Sequence, residues 1–205
     1  MLSQFKHHPW HGISPGKDVP DIVTAFIEIV PTDTVKYEID KESGYLKIDR
    51  PQKYSNVLPA LYGFIPQTYC GELIGDYCAK KTNRTNIMGD GDPIDICVFT
   101  ERNIFRGDII IPAVPIGGFR LIDNGQADDK IIAVMQHDEI YNHWKDIADL
   151  PETLVERLRH YFLTYKSMPG TVNKCEITDT YHAQEARDII NIAMEDYKIY
   201  TEKNK

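Results

Sequence analysis

Asp90, Asp92 and Asp95 fall within six residues, in the run Gly89-Asp-Gly-Asp-Pro-Ile-Asp95. Three carboxylates so close repel one another unless a cation sits among them. Gly89 and Gly91 allow a tight turn and close approach of a ligand. Pro93 fixes φ and removes a backbone donor. The run then enters Ile94-Asp-Ile-Cys-Val-Phe99, which reads as a strand. Carboxylates at the mouth of a strand suit hard cations such as Mg²⁺, which take oxygen ligands and commonly share them with substrate phosphates. An EF-hand calcium loop is excluded. Counted from Asp90, its fifth position is Ile94, its glycine position is Asp95, and Pro93 interrupts it.

A second acidic group, Asp123, Asp128 and Asp129 with Lys130, lies at the tip of a later predicted hairpin. Alone it reads as a solvated turn. Glu28 and Glu38, on the faces of predicted strands, change that reading. Convergence of these groups without compensation would cost several kcal/mol per charge. A site spanned by two or more divalent ions answers that cost and suits in-line displacement at phosphorus. Lys36, Arg50, Lys130 and Lys166 are each ordinary surface cations in isolation. Together they could clamp phosphate oxygens, Arg50 through paired hydrogen bonds and the lysines as point charges. There is no Walker loop and no GxSxG nucleophile motif, so direct attack by a metal-activated water is the simplest route.

The elements that must position these residues follow from periodicity. Thr24–Val30 and Val35–Ile39 alternate as strands, and Tyr45–Asp49 completes a hairpin with the second. Residues 51–70 read as loop. Residues 69–88, with Lys80, Lys81 and Arg84, read as an inserted loop or hairpin. Ile109–Val114 and Gly118–Ile122 read as separate strands, and Lys130–Met135 closes a hairpin through Asp123-Asn-Gly-Gln. Asp149 is the expected cap of a helix with Pro151 in its first turn, running to a stop at Pro169-Gly170. A second amphipathic helix covers 183–200. Short strands followed by helices imply an α+β fold, a small closed barrel with helices packed outside.

The chain has 205 residues, 42% of them apolar, and a net charge of −8. One domain over 1–205 is expected, with an N-terminal arm at 1–20 and the insertion at 69–88. The negative charge argues against nucleic acid as a partner. No apolar run is long enough to span a bilayer and no apolar signal region opens the chain, so no membrane role and a cytoplasmic location are expected. Cys70 and Cys78 could pair or hold a metal, with free thiols favoured in a reducing compartment. His7, His8 and His11 read as part of the arm, flexible or packed at an interface.

Taken together, these residues resemble the family I soluble inorganic pyrophosphatases, from about Pro15 to the final helix. The resemblance is carried by Lys36-Tyr-Glu-Ile-Asp-Lys-Glu-Ser-Gly44, Asp49-Arg50, Tyr62-Gly-Phe-Ile-Pro66, Asp90–Asp95 and Asp123–Lys130. It implies a five-stranded OB-like barrel with flanking helices. It implies hydrolysis of pyrophosphate to two phosphates with several Mg²⁺ ions. It also implies a homo-oligomer, with a homohexamer favoured. Carried over by position, Asp90, Asp95, Asp123, Asp128 and Glu38 resemble metal ligands, and Asp92 resembles the general base. Lys36, Arg50, Lys130, Tyr165, Lys166 and Tyr62 resemble the substrate-binding set, and Glu28 a supporting residue. One departure is Leu58, where many bacterial members carry tyrosine.

Overall fold

The computed structural model describes residues 6–166, 170 and 174–204. Pro169, expected to stop a helix, and the first five residues of the arm lie outside the described residues. The strands are β1 (Val23–Ile29), β2 (Val35–Ile39), β3 (Leu46–Pro51), β4 (Leu61–Phe64), β5 (Met88–Gly89), β6 (Asp95–Phe99), β7 (Ile109–Asp123), β8 (Gln126–Ala127), β9 (Lys130–Met135) and β10 (Cys175–His182). The helices are α1 (Glu72–Thr82), α2 (Glu152–Thr164) and α3 (Ala183–Lys203).

Five strands pair in a ring: β1 with β4, β4 with β6, β6 with β9, β9 with β7, and β7 back to β1. Within the ring only β6 and β9 run parallel, and outside it β5 pairs in parallel with β8. β10 and β8 add to β7, and β2 with β3 forms a separate hairpin. The architecture is therefore α+β with a mixed sheet, as the succession of elements predicted. The apolar run of β6 is explained by burial on both faces. Ile96 and Val98 belong to the apolar cluster that includes Ile189 and Ile190 of α3, whereas Cys97 and Phe99 belong to the one that includes Leu158 and Phe162 of α2.

Several expectations are corrected. The segment 69–88 is neither loop nor hairpin: most of it is α1, with Ile74 and Cys78 buried. Lys81 pairs with Glu185 at 2.8 Å, and Arg84 with Glu176. β7 is one continuous strand of 15 residues, not two. The expected break is absorbed by a register shift between Pro115 and Gly117. Gly117 has φ +155, and a Cβ there would lie 2.6 Å from the Tyr181 carbonyl oxygen. Part of the supposed loop 51–70 is β4. Asp149 does not cap α2. It sits in a short 3₁₀ turn and accepts from the Lys145 and Asp146 N–H groups at 2.8 and 3.0 Å. Cys70 and Cys78 are free thiols, as favoured from the sequence, and both are buried. The arm packs against its own chain: the Trp10 indole N–H donates to the Thr68 carbonyl at 2.8 Å, and His11 Nδ1 lies 2.8 Å from the Tyr197 hydroxyl. Leu58 is buried in the apolar cluster beneath α2.

Candidate active site

The acidic turn is shaped by its own backbone and by residues 70–71. Asp90 Oδ1 accepts the Asp92 N–H at 3.0 Å. Gly89 N–H donates to the Gly71 carbonyl at 3.2 Å, Gly91 N–H to the Cys70 carbonyl at 3.0 Å, and Cys70 N–H to the Asp92 carbonyl at 2.8 Å. The approach is so close that a Cβ on Gly89 would lie 2.1 Å from the Cys70 carbonyl oxygen. Only glycine fits there.

The turn delivers Asp95 to the start of β6, directly opposite Lys130 at the start of β9. Lys130 is 2% exposed and its ammonium sits between Asp95 and Asp128. Tyr62, on β4, donates its hydroxyl to Asp95 Oδ2 at 2.5 Å. Asp123 ends β7 and pairs with Lys166 at 2.5 Å, just past α2. On the β2–β3 hairpin Lys36 bonds Glu38 at 2.9 Å and Asp49 at 3.2 Å. Glu28, buried on β1, accepts the Ile39 N–H at 2.6 Å and so fastens that hairpin to the ring.

The crowding is written in the titration behaviour. Burial, then repulsion from Asp128, pushes Asp90 up to about 8. Asp128 is raised by burial and by Asp95, against the pull of Lys130. Burial likewise lifts Glu28 to about 8. Burial alone would lower Lys130, but Asp128 and Asp95 outweigh it and hold the ammonium well above its usual range. These carboxylates are short of positive charge.

A cavity of about 600 Å³ gathers Glu28, Lys36, Glu38, Tyr62, Asp90, Asp92, Asp95, Asp123, Asp128, Lys130, Tyr165 and Lys166. Arg50 does not line it. Its guanidinium pairs with Asp49, one ion pair behind Lys36. Two lysines that the sequence reading passed over do line it. Lys41 forms an ion pair with Asp92, and Lys47 lies 3.6 Å from Glu38. Lys41 stands in the turn of the hairpin, where no periodicity marks a side chain as inward, and Lys47 lies on β3 opposite Glu38.

The donor set is oxygen only, which fits Mg²⁺ and not a soft metal. Among the described residues no three acidic, histidine or cysteine side chains already form a finished cage. The Lys130 ammonium takes the place of a cation between two of them. The buried carboxylates with raised pKa would still be relieved by a divalent ion, so the residues fit one.

The family model described as inorganic pyrophosphatase matches residues 25–198. The chain belongs to the inorganic pyrophosphatase family. It is 51% identical over 195 residues to the inorganic pyrophosphatase of Chlamydia muridarum (strain MoPn / Nigg), covering 93% of each chain. It is 34% identical to soluble inorganic pyrophosphatase 4 of Arabidopsis thaliana, over 100% of this chain and 87% of the relative. The crystal structure of inorganic pyrophosphatase from Thermus thermophilus superposes with a TM-score of 0.77 at 26% identity, covering 94% of this chain and 99% of that one. The protein is thus an enzyme, a diphosphatase that hydrolyses pyrophosphate to phosphate. Among the described residues no helix is long and apolar enough to cross a membrane.

Proposed function

We propose that hydrolysis proceeds by direct attack of water in the cavity between the acidic turn and the β2–β3 hairpin, with Mg²⁺ held by Asp90, Asp95, Asp123, Asp128 and Glu38. The observation that carries this is the facing of carboxylates and lysines across one cavity. Bound Mg²⁺ supplies positive charge that makes water easier to deprotonate and phosphate oxygens easier to approach. Asp92 accepts the proton of the attacking water. Lys36, Lys130 and Lys166 take phosphate oxygens, with the hydroxyls of Tyr62 and Tyr165 as donors beside them. Arg50 serves the same anion if its pairing with Asp49 opens. Glu28 supports the hairpin.

Asp92→Asn tests the central role. It should leave Mg²⁺ binding by calorimetry near wild type and lower kcat by about 10²–10⁴-fold, the usual contribution of a positioned base. Unchanged turnover would sink the assignment. Phosphate release with Mg²⁺ and with EDTA tests the metal.

We further read the five-stranded ring as an OB-like closed barrel and residues 1–205 as one domain. A cytoplasmic homohexamer is the expected state, which light scattering would check.

A further inference from the structure

Lys41 stands in the turn between β2 and β3, and two other segments of the chain meet on it. Its ammonium forms an ion pair with Asp92 and reaches the Gly91 carbonyl at 3.4 Å. It also lies 5.8 Å from the centre of the Trp10 ring, within range of a cation–π contact. Trp10 is itself fixed, 2% exposed and bonded to the Thr68 carbonyl. The Thr68 hydroxyl in turn accepts the Ile94 N–H at 3.0 Å, just past the acidic turn. The turn bearing Lys41 is also held. Ser43 donates its N–H and hydroxyl to Asp40 at 2.9 and 2.6 Å, and His8 Nε2 lies 3.2 Å from the Lys41 carbonyl oxygen.

The two oxygens of Asp92 are in different surroundings. Oδ1 is buried, takes no aligned hydrogen bond, and is the atom that faces Lys41. The side chain as a whole is 47% exposed. The exposed side of the carboxylate is therefore that of Oδ2, in the cavity wall.

We infer that Lys41 is a positioning residue for Asp92, holding Oδ1 so that Oδ2 is turned toward the attacking water. The inference rests on the reading of Asp92 as the proton acceptor. In that step a water O–H bond breaks and its proton passes to Oδ2. The water oxygen bonds to phosphorus, and the bridging P–O bond breaks with its electron pair leaving on phosphate. Lys41 keeps its protons throughout and only fixes the acceptor. The other lysines of the cavity are committed elsewhere: Lys36 and Lys47 to Glu38, Lys130 to Asp95 and Asp128, Lys166 to Asp123.

Lys41→Met tests this, because it keeps an unbranched apolar stem over Trp10 and removes only the charge. The kcat should fall about 10–100-fold, part of what a positioned base contributes, with KM for pyrophosphate within about twofold. Lys41→Arg should restore most of the loss. In an Asp92→Asn background the same change should alter kcat by less than about twofold, since the group it positions is gone. Wild-type kcat in Lys41→Met, a rise in KM alone, or an undiminished loss in the Asp92→Asn background would each overturn the inference. Wild-type turnover in Asp92→Asn alone would instead remove the proton-acceptor reading, and this inference with it.

Discussion

Helix α1 begins without a cap of its own. Its N-cap residue is Gly71, which offers no side-chain acceptor. The orphan donors of the first turn are satisfied from another helix. Asp196, on α3 and 3% exposed, accepts the N–H groups of Gly71 at 2.9 Å, Leu73 at 3.1 Å and Ile74 at 3.0 Å. Asp196→Ala would orphan all three. The Ile74 N–H is buried, and leaving such a donor unpaired costs about 1–3 kcal/mol. The other two are half-buried and can be partly hydrated, at about 0.5–1.5 kcal/mol each. The expected loss is about 2–6 kcal/mol, at or above the upper end for a single helix cap. Asp196→Asn keeps one acceptor oxygen and should lose roughly half as much. Urea unfolding reads this as a lowered midpoint at constant slope. Hydrogen exchange should quicken first at residues 71, 73 and 74. The acidic turn hangs on residues 70 and 71, so the Mg²⁺ needed for half-maximal activity should rise as well. A stability loss below about 1 kcal/mol in Asp196→Ala would refute the reasoning, since it would mean these bonds are worth no more than their exchange with water.

Two further outcomes follow from the site. Gly89→Ala forces a Cβ to 2.1 Å from a backbone oxygen, where no side chain can yield. Both melting temperature and kcat should drop, and a wild-type melting temperature would show that the turn is looser than its hydrogen bonds indicate. Glu28 titrates near 8 when folded because it is buried, against about 4.3 in an unfolded chain. The folded state therefore holds the proton more tightly. Stability should fall as pH rises between those values, by up to a few kcal/mol, because the unfolded chain releases the proton first. Without Mg²⁺, Glu28→Gln should flatten that slope in denaturant titrations from pH 5 to 8. An unaltered slope would show that Glu28 does not carry it.

The parts of the site that were legible in sequence are those where chemistry and local backbone coincide. The turn at Gly89–Asp95 declares itself by glycine, proline and acid in sequence, and β6 follows as an apolar run. The turn at Asp123–Gly125 is likewise local, with Asn124 at φ 52 and Gly125 at φ 83. What was missed is set by distant partners. α1 has a thin apolar stripe, a glycine start and a cap 125 residues away, so no local signal announces it. β10 alternates poorly because its register slips between Ile177 and Asp179. β7 was cut in two because a bulge and two prolines look like a break until four different neighbours pair with it. Lys41 sits in a turn, where only the packing of the arm decides which way a side chain goes.

The charge of the cavity ties its ligands together. Nine carboxylates line it against five lysines, a formal excess of four negative charges. Each of those lysines is already engaged by a carboxylate. An anionic substrate cannot enter such a site on electrostatic terms alone. For Lys130 or Lys166 to take a phosphate oxygen, it must release Asp95, Asp128 or Asp123, and that carboxylate is then left in a poorly solvated place without a partner. A divalent cation arriving at the released carboxylate removes the cost of the exchange. A phosphate oxygen arriving at the lysine lowers the cost of admitting the cation. Each ligand thus favours the other by the same coupling free energy, whichever binds first. On the proposed reading the lysine–carboxylate pairs are the element that both ligands would shift, so the cavity would hold metal and pyrophosphate together more readily than either alone.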